Sequence, residues 1–139
     1  MLHPHTHLRH VSDEVGYGIF ASQFIPKGTI TWVEDELEII TSPEKFERQH
    51  PDIQAQIEKY STVDKYGNYS MTWDLTKYLN HCCQCNSMST GYGFEIALRD
   101  IQAGEEITTE YGVYNVQHEM ELICPKPGCR GKLCPGDFD

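Results

Sequence analysis

The sequence predicts a mainly β domain with short helices. Three observations carry that expectation: β-branched and aromatic residues fill short runs near both ends of residues 15–112, glycine turns separate the runs, and only residues 42–60 read as helical. A chain of 139 residues suits one domain with a real core and little room for a second. We therefore expect a globular unit over 1–118 and a cysteine-containing tail over 119–139.

The elements follow in order. His3, His5, His7 and His10 surround Pro4 and predict a loose lead-in of solvated histidines followed by a strand. Residues 18–22 (GIFAS) and 29–40 (TITWVEDELEII) read as strands separated by the turn Pro26-Lys27-Gly28. Ser42 or Thr41 can then cap a helix, with Pro43 at its first position and Phe46, Ile53, Ile57 and Tyr60 on a partly apolar face. Pro51 breaks this stretch, so one or two short helices fit. Beyond a turn at Gly67-Asn68 come a mixed stretch to Asn80 and a turn-rich one over 82–93. Residues 94–112 return to strand, turn and strand. The tail from Ile123 has too little apolar content to fold without a staple.

Charge narrows the partners. A formal net charge of −10 repels phosphates and argues against direct nucleic-acid binding, whereas a basic, lysine-rich protein segment suits it. No apolar run approaches the ~18 residues of a membrane helix, and MLHPHTHLRH lacks a signal-peptide stretch, so an intracellular protein, cytoplasmic or nuclear, is expected. The six cysteines at 82, 83, 85, 124, 129 and 134 fall into two groups, which fits metal ligation in a reducing compartment better than scattered disulfides.

Four segments occur in order: Gly16-Tyr17-Gly18-Ile19-Phe20-Ala21; Ile25-Pro26-Lys27-Gly28; Asn80-His81-Cys82-Cys83-Gln84-Cys85-Asn86; and Arg99-Asp100-Ile101 through Gly104-Glu105-Glu106-Ile107 to Glu110-Tyr111-Gly112. A Gly-x-Gly alone marks many turns, but the asparagine-histidine-cysteine segment followed by GEEITTEYG is a specific pairing. Together the segments resemble the SET-domain family of protein lysine methyltransferases. The resemblance implies small twisted sheets around a C-terminal pseudoknot, which would bring Asn80, His81 and Tyr111 together on rigid backbone. It also implies a SET domain over 1–118 and a post-SET-like tail over 119–139.

The implied reaction transfers a methyl group from S-adenosylmethionine to a lysine of a protein substrate, such as a histone. Lysine must attack as the neutral amine, although its free pKa is about 10.4. An apolar aromatic channel and a neighbouring sulfonium both disfavour its charged form. Tyr111 matches the family's active-site tyrosine, with a hydroxyl near the reacting groups and a ring that walls the channel. Gly16, Tyr17, Gly18, Asn80 and His81 match the cofactor pocket, glycine allowing close backbone approach, and Tyr78 is a neighbour. Tyr92, Phe94 and Tyr114 are channel candidates that also read as core or rim packing. Thr109 occupies the place where relatives carry an aromatic that influences how many methyl groups are added. Taken singly, a turn for the glycines, a cap for Asn80 and a core position for Tyr111 are the better explanation of each residue, and only the combination favours the site.

The tail departs from the family. Relatives join three post-SET cysteines to the cysteine of the asparagine-histidine motif around a structural zinc, but Leu122 stands where one of the three would be. The expected set is Cys83, Cys85, Cys124 and Cys129, with Cys82 or Cys134 as alternatives for the fourth place. Bound zinc would order a tail in which Leu133 or Phe138 covers the adenine. A SET-like module without turnover that binds a lysine-containing segment is the alternative function, and so small a member could form a homodimer.

Overall fold

The computed structural model describes residues 1–114 and 118–137, so Phe138 lies outside the described residues. Strand β1 (Thr6–Ser12) pairs antiparallel with β2 (Gly16–Ala21) through a tight turn. The lead-in is not loose: Leu2 bridges Trp32, the amide of His3 donates to the carbonyl of Thr31, and the Leu2 amide donates to Asp74 at 2.7 Å. His7 and His10 lie within β1 itself.

The long apolar run splits into β3 (Ile30–Val33) and β4 (Ile39–Thr41), because Glu34, Asp35 and Glu36 between them favour solvent over a ladder. Next come α1 (Pro43–Glu47), capped by Ser42, and α2 (Pro51–Tyr60), capped by His50, each with proline at its first position. Pro51 therefore opens the second helix as well as separating the two. Ile57 is the residue α2 buries. Strands β5 (Ser61–Val63) and β6 (Tyr69–Met71) turn around Gly67, where the Asp64 carboxylate accepts from the amides of Tyr66 and Asn68. A 3-10 turn (Leu75–Tyr78) leads into β7 (Asn80–His81), followed by β8 (Ser87–Ser89), β9 (Phe94–Ala97) and β10 (Glu106–Thr109). After a second 3-10 turn (Tyr111–Val113) the tail forms β11 (Met120–Glu121) and β12 (Lys132–Leu133).

These strands make four small sheets, ordered β1-β2-β10-β7, β3-β9-β8, β4-β6-β5 and β11-β12. Ile19, Ala21, Ile25, Leu79, Ala97, Ile101 and Ile107 form the core between them. The first sheet positions the site. β10 is antiparallel to β2 but parallel to β7, with Thr108 opposite Asn80 and Thr109 opposite His81. A parallel pair cannot be joined by a hairpin, so the chain travels through β8 and β9 before returning beside β7. That return brings residues some thirty positions apart into contact.

Candidate active site

Tyr111 lies one residue beyond β10, after Glu110, and its backbone amide donates to His81 Nδ1 at 3.2 Å while its hydroxyl donates to the Leu79 carbonyl at 2.6 Å. His81 accepts on Nδ1, so its proton sits on Nε2, which faces Cys83 Sγ at 3.3 Å. Burial lowers the His81 pKa and outweighs the opposing pull of Glu110, consistent with the neutral ring this geometry requires. Burial also raises the Tyr111 pKa, with Glu95 and Glu106 adding to it, and the phenol stays protonated. The Tyr111 hydroxyl is thus a fixed neutral group whose lone pairs remain to accept.

Asn80 ties this pair to the Gly-x-Gly segment. Its side-chain amide donates to the Tyr17 carbonyl at 3.0 Å and to Glu106 Oε1 at 2.9 Å. Gly18 is required by packing, since a Cβ there would lie 2.4 Å from Glu106 Oε1 and 2.9 Å from Asn80 Nδ2. Gly16 is required by conformation, with φ of +83°. The Tyr17 and Tyr78 rings meet edge to face, and Tyr78 meets Tyr60 in the same way. The structure thus brings together Gly16, Tyr17, Gly18, Tyr78, Asn80, His81 and Tyr111.

Two cavities flank Tyr111. A narrow cleft of about 60 Å³ is lined by Tyr17, Tyr78, Asn80 and Tyr111 together with Lys59 and Lys77. A larger cavity of about 690 Å³ is lined by Tyr111, Thr109, Tyr114 and Glu95 among others. Tyr60, Lys59 and Lys77 border both, and the sequence pattern did not mark them, because they come from the end of α2 and the first 3-10 turn. Glu95 was also missed. It is 1% exposed, and three hydroxyls donate to it, from Ser87 at 2.9 Å, from Thr109 at 3.2 Å and from Tyr114. Thr109 and Tyr114 stand on the wall of this cavity. Tyr92 does not: it is 86% exposed at the tip of the β8–β9 connection, and Phe94 pairs with Val33 away from the lining.

The cysteines gather differently from the expected set. Cys82 Sγ lies 3.7 Å from Cys124 Sγ, Cys83 Sγ lies 3.7 Å from Cys129 Sγ, and the Cys124 and Cys129 side chains interact as well. Cys82, not Cys85, is the sulfur against Cys124. Burial, followed by the charges of Glu110 and Cys82, pushes the Cys85 thiol up to about 11, and Cys134 contacts Glu119 instead. Two thiolates bound to one tetrahedral zinc at about 2.3 Å are roughly 3.8 Å apart, so both close pairs have the spacing of a tetrahedron edge. The four sulfurs still form a chain of contacts rather than a closed shell. Among the described residues, no three His, Cys, Asp or Glu side chains converge closely enough to hold a metal ion.

The tail is also held without sulfur. Arg130 donates to Glu110 Oε1 at 2.6 Å, and that same carboxylate accepts from the Gly112 amide and lies 3.5 Å from His81 Nδ1. Gln84 reaches the Pro127 carbonyl at 2.8 Å. Leu133, in β12, is fully buried.

Comparison with known proteins agrees with this arrangement. The SET domain family model matches residues 16–112. A variant-silencing SET domain-containing protein of Plasmodium falciparum is 28% identical over 134 residues, 85% of this chain and 5% of that protein. A putative histone-lysine N-methyltransferase of the same organism is 25% identical over 85% of this chain and 2% of its own length. A histone H3 lysine-4 specific N-methyltransferase of Candida albicans is 32% identical over 42% of this chain and 7% of its own. This chain therefore spans a small part of the relatives it matches. Among solved structures, an apo ctPRC2 with a mutated Ezh2 shares the fold at a TM-score of 0.57 and 24% identity, over 77% of this chain and 15% of that one. A humanized mutant of the Chaetomium thermophilum Polycomb Repressive Complex 2 follows at a TM-score of 0.52 and 22% identity, over the same shares.

Proposed function

We propose that this chain, which belongs to the SET-domain family, is a protein-lysine N-methyltransferase using S-adenosylmethionine on a basic protein substrate such as a histone. The observation that carries the reading is Tyr111, which lines both a small cleft beside Asn80 and Tyr17 and a much larger cavity. A two-substrate transfer needs two such spaces that meet beside one fixed group.

The cleft residues fit one end of the cofactor. The ammonium groups of Lys59 and Lys77 match a carboxylate, and the ring faces of Tyr17, Tyr78 and Tyr111 match a sulfonium cation. When bound, S-adenosylmethionine supplies an electrophilic methyl group. The chain's own residues do the rest. Asn80 and Glu106 hold the Tyr17 carbonyl edge in place, and the Leu79 carbonyl fixes the Tyr111 hydroxyl with its lone pairs free to accept from an amine. Neutral His81 secures the Tyr111 backbone. The larger cavity receives the lysine side chain, which its carboxylates draw in as the cation, and the neighbouring sulfonium charge disfavours that cation at Tyr111.

Zinc enters as a structural group. Cys82, Cys83, Cys124 and Cys129 would hold it, drawing the two sulfur pairs around one ion and fastening the tail over the site, with no open position for chemistry.

The test is transfer of labelled methyl from S-adenosylmethionine to a lysine-rich protein mixture. Wild type is expected to label lysine, and Tyr111→Phe and Asn80→Ala are expected to lower turnover roughly 10²-fold. Cofactor binding without transfer to any substrate would favour the binding module. Absence of cofactor binding would overturn the reading.

A further inference from the structure

The larger cavity holds a second polar cluster away from the Tyr111 wall. Among the described residues, five have buried polar atoms with no hydrogen-bond partner: both carboxylate oxygens of Glu38, the indole nitrogen of Trp32, and the hydroxyls of Ser61, Thr72 and Thr76. All five line this cavity. Buried polar atoms are almost always paired, so five residues of one cavity wall whose unpaired atoms lie just beneath its surface mark a place where a polar ligand group reaching in belongs. The fold explains how they meet. Glu38 immediately precedes β4 and Thr72 immediately follows β6, so the antiparallel register of Ile39 with Met71 puts them side by side. Ser61 pairs with Met71 from the other flank, Thr76 arrives on the 3-10 turn, and Trp32 comes from β3, opposite Glu95.

The chemistry selects the ligand. Glu38 is acceptor-only when ionised, and the three hydroxyls can accept beside it, so these four side chains suit a donor-rich group, while the Trp32 indole, a donor only, stands outside that match. Charge agrees. The lining carries Glu34, Glu38, Glu58, Asp64 and Glu95 against Lys59 and Lys77. Burial and then the Asp35 carboxylate act against the Glu38 charge, the N-terminal ammonium offsets only part of this, and a bound cation would relieve the remainder.

We propose that Glu38, with Ser61, Thr72 and Thr76, forms a subsite for a second cationic side chain of the protein substrate, an arginine or lysine near the methylated lysine. This rests on the methyltransferase reading for the lysine but not for the binding. A volume near 690 Å³ is ample for two side chains of a peptide.

The experiment uses fluorescent peptides with one central lysine and either arginine or its neutral isostere citrulline at each other position. Binding is read by anisotropy, and methyl transfer is measured on the same peptides. Wild type is expected to prefer arginine over citrulline at one position by roughly tenfold or more, the scale of a desolvated charge-assisted pair. Glu38→Gln is expected to abolish that ratio in binding and, where transfer occurs, in kcat/KM. Glu38→Gln removes a repelled charge and should fold, as a thermal melt will verify. Thr72→Val provides a milder variant that should shrink the ratio several-fold. A wild type indifferent to the arginine, or a ratio that survives Glu38→Gln, overturns the subsite. Loss of all transfer with the binding ratio intact would refute the enzyme reading and leave the subsite standing.

Discussion

At the scale of single residues, the site depends on groups with little freedom to change. Gly18→Ala would push a methyl group against Glu106 and the Asn80 amide, both of which belong to the bonded network that holds the Tyr17 carbonyl. We expect a loss of about 1–3 kcal/mol in denaturant unfolding, together with weaker S-adenosylmethionine binding by calorimetry. Glu95 makes a pH prediction. Burial raises its folded pKa above the ordinary 4.5 despite the donating hydroxyls of Tyr114, Ser87 and Thr109. Between the unfolded and folded values the folded state binds more protons, so this group's contribution to stability is greatest at low pH and falls as pH rises through the interval. Unfolding of Glu95→Gln, followed from about pH 4 to pH 8, should lack that decline, so the variant gains on wild type as pH rises. An unchanged difference across the range would mean that Glu95 is not a desolvated carboxylate. The juxtaposition of Asn80, His81 and Tyr111 was legible in the sequence because each sits in a dense motif. Glu95 was not, because an acidic residue within FEIALRD reads as the solvent face of a strand until three hydroxyls from other segments close around it.

At the scale of elements, short-range chemistry was the most legible. Ser42, Pro43 and the Gly67-Asn68 turn act where their side chains and backbone preferences indicated. The lead-in was misread for the opposite reason: its order comes from Thr31, Trp32 and Asp74, and no local signal reports partners so distant in sequence. The tail shows the same divide. Spacing alone favoured Cys85 as the fourth zinc ligand, because Cys83-Gln84-Cys85 looks like a chelating pair. The loop instead sets Cys82 against Cys124 and Cys83 against Cys129, so adjacent residues address two different tail cysteines. On the proposed reading, in which zinc draws these two sulfur pairs together, protein purified under reducing conditions should carry about one zinc per chain. Elemental analysis should find that content lost in Cys82→Ser and kept in Cys85→Ser, and a chelator should lower the melting temperature of wild type. The reverse pattern for the two variants would restore the spacing-based set.

At the scale of the whole molecule, the order of the four motifs made the family legible, whereas the larger cavity was not, because β3, β4, α2, β6, β9 and the 3-10 turns each contribute only a few residues to it. What did carry through from composition is charge. The net −10 of the chain recurs locally as five carboxylates against two lysines in the cavity lining. A negative surface around an acidic cavity should draw a basic peptide in from a distance, an effect that salt screens over a Debye length of about 10 Å at 0.1 M. The KM for a lysine- and arginine-rich peptide should therefore rise several-fold between about 0.05 and 0.5 M salt, because the attraction acts on encounter. The step at Tyr111 takes place in a desolvated site where mobile ions do not reach, so kcat should change little. A peptide with the same central lysine but neutral neighbours should show a much shallower rise. If both peptides respond alike, the negative field contributes only solubility, and selection of a basic partner must come from short-range contacts within the cavity.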